Sequence, residues 1–133
     1  MTPGVPRAAL VLVDAFVALA AVGGGLALVF GMEAARFPLS WLDGTPFADY
    51  TIPGLILTVV VGGSAAAATV VTLRGAHQGG RASVVAGAIL VAWIVGEILV
   101  FTGDGEVISP TEVFFTGAGI AMIALGALVA RRA

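Results

Sequence analysis

The strongest constraint on this chain is a set of four apolar segments, each about as long as a membrane is thick. They run over residues 8–30, 54–73, 82–102 and 111–130. A hydrocarbon core of ~30 Å requires an α-helix of ~20 apolar residues, and the segments lack the alternation of a transmembrane β-strand. The sequence therefore predicts a single integral membrane domain over 1–133. Its fold class is all-α: a transmembrane antiparallel four-helix bundle with a short structured extracytoplasmic loop.

Composition supports this class and removes several functions. Hydrophobic residues make up 59% of the chain and charged residues 11%, against ~45–50% and ~25% in soluble domains. The absence of cysteine and the single histidine leave no thiol chemistry and argue against a metal or haem site. The net charge of −2 offers no basic patch for nucleic acid. We therefore expect no cofactor, no metal, no catalytic residues and no nucleic-acid partner.

The arginines predict how the bundle is oriented. Short loops that are rich in arginine stay in the cytoplasm. Both termini and the loop 74–81 are therefore predicted to be cytoplasmic, and the loops 31–53 and 103–110 to lie outside. Five arginines fall on the predicted cytoplasmic side, and only Arg36 falls on the other: Arg7, Arg74, Arg81, Arg131 and Arg132.

Small residues predict how the helices pack. Apolar helices do not attract each other by the hydrophobic effect within lipid, so close backbone contact has to hold them together. Each segment offers small residues for such contacts, either within the bundle or between copies of it. The predicted ridges are Gly23–Gly25 in the first segment, Thr58, Gly62 and Ala66 in the second, Ala88, Ala92 and Gly96 in the third, and Gly117, Gly119 and Gly126 in the fourth.

The loop 31–53 is the longest segment outside the predicted helices. Pro38 can open a short helix, and aromatic residues such as Trp41 and Tyr50 are typical of the headgroup level. Two interpretations remain open: an interfacial belt that plugs the bundle, or a lid over a cavity. At the start of the fourth segment, Ser109 and Glu112 form a capping box, which favours a helix-capping role for Glu112.

Two acidic residues, Asp14 and Glu97, lie inside the predicted spans. Intramembrane acids are expensive and are functional candidates by default. At ~1.5 Å per residue the two differ in depth by roughly 13 Å, so they cannot form a dyad. Asp14 is predicted either to form a buried ion pair or polar clasp that fixes helix register, or to bind a proton or cation.

Glu97 has an apolar and aromatic setting, with Trp93 one turn away. Two hypotheses remain for it. It is either an internal hydrogen-bonding post that ties the third helix to the outer loop, or a proton, cation or polar-ligand site beneath that loop. The predicted partners of such a post are Tyr50, Trp41, Thr45 or a free amide at the start of the second segment. The candidate site is therefore Glu97, Trp93, Tyr50, Trp41 and Asp14.

The stretches WLDGTPFADYTIPGLIL (41–57) and AWIVGEIL (92–99) resemble a group of small four-span integral membrane proteins from actinobacteria. The resemblance covers nearly the whole chain and places Pro46, Tyr50, Pro53, Trp93 and Glu97 on its motif positions. It implies a four-span topology in a bacterial plasma membrane, and it implies no particular activity. The size and plan are also similar to those of DoxX-like proteins, as an analogy of architecture alone.

Three functional expectations follow from the sequence. The first is a small non-enzymatic membrane protein that acts as an accessory or scaffold subunit of a larger complex, or that self-associates as a homo-oligomer in the lipid bilayer. The alternative is a small transporter or channel that uses Glu97 as its proton, cation or polar-ligand site. A membrane redox or lipid-modifying enzyme is a weaker alternative.

Overall fold

The computed structural model describes residues 4–31, 49–100 and 110–132, and four helices account for almost all of them. They are α1 (Gly4–Val29), α2 (Thr51–Arg74), α3 (Ala76–Val100) and α4 (Pro110–Arg132). No strand occurs in these ranges. The prediction of an all-α four-helix bundle is confirmed, whereas the predicted short helix in the 31–53 loop lies mostly outside the described residues.

All four helices are long and apolar enough to cross a membrane. Their large apolar side chains point outward as well as inward: Leu12, Leu19 and Leu99 are each at least 70% exposed. A water-soluble protein rarely exposes so much contiguous apolar surface, whereas lipid favours it. The chain is therefore a multi-pass membrane protein.

The helices form a ring in which each packs on its two neighbours in sequence, and α4 also packs on α1. Because successive helices run antiparallel, one end of the bundle holds Gly75 and both described termini, and we call it the Gly75 end. The other holds Tyr50 and the start of α4, and we call it the Tyr50 end. Between them the core is formed by Val17, Val61, Leu90 and Met122, all 4% exposed or less.

Glycines set a close helix contact between α3 and α4. A Cβ at Gly87 would lie 2.6 Å from the carbonyl oxygen of Gly119, and a Cβ at Gly126 would lie 2.6 Å from that of Gly80. Such close approach is what holds helices together in lipid. The predicted small-residue positions Gly119 and Gly126 therefore do make helix contacts.

The small-residue ridge predicted on the third helix makes no contact within the bundle, and its use between copies stays a prediction. Ala88 and Ala92 are exposed, and nothing lies within 4 Å of a Cβ built at Gly96. The face of α3 that meets α4 instead carries Gly80 and Gly87. Because successive residues of a helix are ~100° apart, Ala88 points away when Gly87 is buried.

The predicted loop 74–81 is almost entirely helical. Only Gly75, in an extended conformation, separates α2 from α3. Gly79 and Gly80 were read as loop residues, but a Cβ at Gly79 would collide with Thr72. These glycines let the first turns of α3 pack directly on neighbouring helices, so the reversal needs one residue instead of eight. His77 lies on α3, exposed, with Nδ1 3.0 Å from the carbonyl oxygen of Ala130.

The second helix contains a segment of π-helix, Leu57–Gly62, that the sequence did not predict. It passes close to α1, where a Cβ at Gly25 would lie 2.8 Å from the amide nitrogen of Thr58. The predicted packing role of Gly25 is thereby confirmed. Such π-helical turns are rare and often occur beside functional sites, and Leu57 lines the cavity described below.

Local signals explain where two helices begin and end. The helix α1 ends just before Gly31, whose φ of +73° is the left-handed conformation that favours glycine after a helix. Before α2, the carboxylate of Asp49 accepts a hydrogen bond of 3.0 Å from the amide of Thr51. This bond lowers the pKa of Asp49 below its usual value.

Candidate functional site

The main internal feature is a partly enclosed cavity of about 210 Å³ in the half of the bundle nearest the Tyr50 end. All four helices contribute to its wall, together with Tyr50 just before α2. Val17 and Leu90, which belong to the buried core, form part of its lining and close it toward the Gly75 end. The cavity is smaller than the ~300–1,000 Å³ of drug-sized sites, so it suits a small molecule or a headgroup.

Four polar side chains line this cavity. Glu97 comes from the last turn of α3, Thr111 and Glu112 from the first turn of α4, and Tyr50 from the residue before α2. Tyr50 and Glu112 are only 6% and 7% exposed, and Glu97 is half-buried. Burial, and then the negative charge of Glu97, raise the pKa of the Tyr50 phenol above its ordinary value. The two groups are therefore close enough to interact electrostatically.

Aromatic rings share the wall with the two carboxyl groups. Trp93, Phe115 and Tyr50 all face the cavity. None of the lining residues that the structure describes is basic. Carboxylates beside aromatic faces attract cations, since a ring face carries negative charge density and binds ammonium groups within about 6 Å.

A second polar group lies in the other half of the bundle, around Asp14. We call it the Asp14 clasp and define it as Asp14, Ser83 and Thr72, all fully buried. The Ser83 hydroxyl donates a hydrogen bond of 2.6 Å to Oδ2 of Asp14. The Thr72 hydroxyl donates to the carbonyl oxygen of Ala68 at 2.7 Å and lies 3.5 Å from the Ser83 oxygen. The clasp therefore links α1 to α3 and brings α2 alongside.

Arg7 reinforces the same end without pairing with Asp14. Its Nε donates to the carbonyl oxygen of Thr72 at 2.8 Å, and its Nη2 donates to that of Leu73 at 3.0 Å. These carbonyls end α2 and have no partner within the helix, so a cation is well placed there. For Asp14 the geometry matches the polar clasp and not an ion pair with this arginine, and a proton- or cation-binding role stays a prediction.

The predicted site residues fall into separate places. Glu97, Trp93 and Tyr50 meet in one cavity, whereas Trp41 lies outside the described residues. Asp14 is far from them: its partner Ser83 precedes Glu97 by 14 residues of α3, or about 21 Å along the helix. This agrees with the expectation that the two acids form no dyad. Whether Glu97 is a structural post or a binding group stays a question for experiment.

The sequence reading missed Glu112 as a cavity residue because its capping-box position already explained it. The structure confirms that Pro110 opens the helix, while Ser109 lies outside the described residues. One signal could have found the second carboxyl. Glu97 is near the end of α3 and Glu112 near the start of α4, so an antiparallel pair with a short connection brings them to the same depth. The hydroxyls of Ser83 and Thr72 gave no comparable signal.

Comparisons with known proteins indicate no role for this chain, so a role has to be argued from its residues. The chain matches no family model, no curated protein and no solved structure. The likeness to small actinobacterial four-span proteins therefore stays a prediction. Within the described ranges, no group of three or more metal-binding side chains lies close enough together to hold an ion. The protein is defined so far as a multi-pass membrane protein with a carboxyl-lined and aromatic-lined cavity.

Proposed function

We propose that this protein is a non-enzymatic membrane protein of the transporter class that binds a small organic cation in the cavity at the Tyr50 end. The observation that carries the proposal is the cavity itself, where Glu97 and Glu112 share a wall with Trp93 and Phe115. Two carboxyl groups beside one space favour a positively charged occupant, because a cation offsets their mutual repulsion. The aromatic faces favour an ammonium group over a small, strongly hydrated metal ion.

The distribution of arginines supports an orientation for this cavity. Arg7 and Arg74 lie at the Gly75 end, which we infer to face the cytoplasm of a bacterial cell. The cavity would then lie in the outer leaflet of the plasma membrane. Its cytoplasmic side is closed by the packed core and the Asp14 clasp, which is the geometry of a carrier loaded from outside.

Uptake into proteoliposomes tests the proposal. Labelled tetramethylammonium is supplied outside, with an inside-negative potential, and uptake is compared among the wild type, Glu97→Gln and Glu112→Gln. We expect uptake by the wild type and its loss in both variants, because each removes a charge from the cavity wall and leaves the side-chain size almost unchanged. Asp14→Asn is the matched control, since it neutralises an acid that does not line the cavity.

The outcomes separate the competing roles. Uptake that persists in both cavity variants contradicts the assignment of the site. Saturable binding of tetramethylammonium without uptake replaces the carrier with a binding or accessory subunit. If tetramethylammonium is neither bound nor taken up, the result favours the first expectation from the sequence, which is an accessory or scaffold subunit.

One observation favours self-association as a second role. On α2, Gly63, Ala66 and Ala67 are exposed on the lipid-facing surface, and nothing lies within 4 Å of a Cβ at Gly63. Small residues on such a face allow close approach of a second helix. Cross-linking in native membranes tests this role: a dimer that disappears in Gly63→Leu supports it, and a monomer in the wild type contradicts it.

A further inference from the structure

A second concavity lies on the lipid-facing side of the bundle, between α1 and α4. It is a groove of about 550 Å³ whose walls include Leu12, Phe16, Phe114, Gly117 and Ala121. Its side chains are apolar, and Leu12 and Phe114 are 70% and 58% exposed. The groove therefore opens toward the acyl chains of the bilayer.

A single layer of aromatic rings separates this groove from the cavity. The ring of Phe16, in the groove, stacks on that of Phe115, in the cavity wall, with 6.0 Å between centroids and 8° between planes. Phe114 meets both rings edge-to-face, at 5.8 Å from Phe16 and 5.2 Å from Phe115. The stacked rings therefore lie between the lining of the groove and that of the cavity.

The helices on either side of this layer are the least tightly joined neighbours. Among the described residues, α1 and α4 share a smaller interface than any other adjacent pair in the ring. Gly117 faces the groove with open space where its Cβ would be, unlike Gly119 and Gly126, which contact α3. The seam between α1 and α4 is consequently the side of the bundle where a molecule can pass with the least rearrangement.

We propose that the cavity and the groove together hold one membrane-borne amphiphile with a cationic headgroup, which enters sideways from the bilayer between α1 and α4. The headgroup lies beside Glu97 and Glu112, the hydrocarbon chain lies in the groove, and the stacked rings of Phe16 and Phe115 form the gate. This proposal rests on the cation-binding function above and adds the substrate class and the route.

Charge and size select this occupant over other membrane components. An anionic amphiphile would bring its headgroup against two carboxyl groups, which is unfavourable in a low-dielectric setting. The cavity of about 210 Å³ has room for a headgroup but not for the chain as well, whereas the groove is long and apolar. A molecule with a small cationic end and an apolar tail matches both spaces at once.

The protein carries its own reporter for this idea, because Trp93 lines the cavity and Trp41 is the only other tryptophan. Trp41→Phe protein in lipid nanodiscs has Trp93 as its sole indole. Pyridinium ions quench indole fluorescence on contact, so N-hexadecylpyridinium serves as the amphiphile and N-methylpyridinium as the same headgroup without a chain. Hexadecyl sulfate is the anionic control. Trp93→Phe protein, which keeps Trp41, gives the background; if Trp41→Phe does not fold, the Trp93 signal is the quenching of the two-tryptophan protein minus that of Trp93→Phe.

Gly117→Leu fills the groove, and Gly23→Leu is its matched control on an exposed position of α1; both positions have open space at Cβ. We expect N-hexadecylpyridinium to quench Trp93 in the parent and in Gly23→Leu, and to lose most of that quenching in Gly117→Leu. Quenching by N-methylpyridinium should be the same in all three proteins, and hexadecyl sulfate should not quench.

The results distinguish failure of the route from failure of the site. Equal quenching by N-hexadecylpyridinium in Gly117→Leu and Gly23→Leu overturns sideways access and leaves cation binding intact. Quenching by hexadecyl sulfate overturns the choice of a cationic headgroup. Quenching by both pyridinium compounds that is unchanged in Glu97→Gln and Glu112→Gln overturns the proposed function itself.

Discussion

The two halves of this bundle place their acidic side chains in different surroundings. Toward the Gly75 end, Asp14 is fully buried and takes a 2.6 Å hydrogen bond from Ser83 on a neighbouring helix. Toward the Tyr50 end, Glu97 and Glu112 border a cavity that could admit a small molecule. Oδ2 of Asp14 joins two helices through this bond, while its Oδ1 has no hydrogen-bond partner among the described residues. Glu97 and Glu112 line a cavity.

The same contrast appears in the packing around these acids. At the Gly75 end, Gly79, Gly80 and Gly126 hold backbones so close that none tolerates a Cβ without a shift. At the Tyr50 end, Gly25 and Gly54 pack α1 against α2 just as tightly, but Gly96 and Gly117, on the two helices that carry Glu97 and Glu112, have open space beside them. A membrane acid is therefore best interpreted from the packing around it: tight packing with a hydroxyl partner indicates structure, and open packing with aromatic neighbours indicates binding. The predictions below test this difference.

Glycine substitution should give the largest difference between the halves. In Gly126→Leu the new Cβ would lie 2.6 Å from the Gly80 carbonyl oxygen and 3.0 Å from the Val84 amide. Backbone cannot yield as a side chain does, so we expect a loss at or above the ~1–3 kcal/mol typical of overpacking. Gly117→Leu, on the same helix, should keep the wild-type melting temperature. Melting in detergent with size-exclusion detection measures both, and equal Tm values for the two variants would contradict the contrast.

Removing the Asp14–Ser83 hydrogen bond should have the next largest effect. We expect Asp14→Ala and Ser83→Ala to destabilise the bundle, with a coupling energy of about 0.6 kcal/mol and at most about 1.7 kcal/mol, as for other interhelical hydrogen bonds in membranes. A double-mutant cycle in unfolding measures this coupling. Glu97→Gln should leave stability nearly unchanged. Additive effects at Asp14 and Ser83, or a larger loss at Glu97, would reverse the roles assigned to the two halves.

Arg7 should make a smaller contribution to the Gly75 end. Arg7→Ala removes both hydrogen bonds to the last carbonyls of α2, and we expect a loss of about 0.3–1 kcal/mol because the site is partly exposed. Arg7→Lys should restore part of this, since it keeps the charge and loses the two-pronged geometry. The order of melting temperatures, wild type above Lys above Ala, checks the prediction. If Ala and Lys melt alike, the guanidinium geometry matters and the charge does not.

The smallest effect should come from Asp49, which is exposed at the start of α2. The Thr51 amide lowers its pKa in the folded state. Its contribution to stability is therefore complete above its unfolded pKa of about 3.9 and is lost as the pH falls through the lower folded value. We expect Asp49→Asn to lower stability slightly near pH 7, where the contribution of the carboxylate is complete, and to flatten the acid limb of a stability-versus-pH curve. Carbon NMR titration of Asp49 checks the direction of the shift; a pKa at or above the ordinary value would contradict it.

Different parts of this structure were visible in the sequence to different degrees. Four helices and their antiparallel order followed from hydropathy, because a membrane core dictates both the length and the apolar character of a span. The face of α3 did not follow, because Ala88, Ala92 and Gly96 look as good a ridge as Gly80 and Gly87 until the partner helix is known. The reversal at Gly75 was also missed, since a glycine-rich stretch is typical of a loop and of a close helix contact alike.

The sequence predicts only part of the candidate site. Glu97, Trp93 and Tyr50 could be identified because an acid within an apolar span stands out and aromatic residues flank it. Glu112 was concealed by a local explanation that is itself sound, since a residue can cap a helix and face a cavity together. Ser83 and Thr72 are weakly polar residues common in membrane helices, so only the packed structure shows that they meet Asp14.

The most direct test of the central claim is whether a small organic cation stabilises the bundle through Glu97 and not through Asp14. Melting temperatures are measured with tetramethylammonium chloride against sodium chloride at equal ionic strength, for the wild type, Glu97→Gln and Asp14→Asn. A ligand at 100 times its Kd adds about 2.7 kcal/mol to the stability of the folded state. We predict a rise in Tm for the wild type and for Asp14→Asn, and none for Glu97→Gln. A rise that survives in Glu97→Gln and disappears in Asp14→Asn would contradict the account.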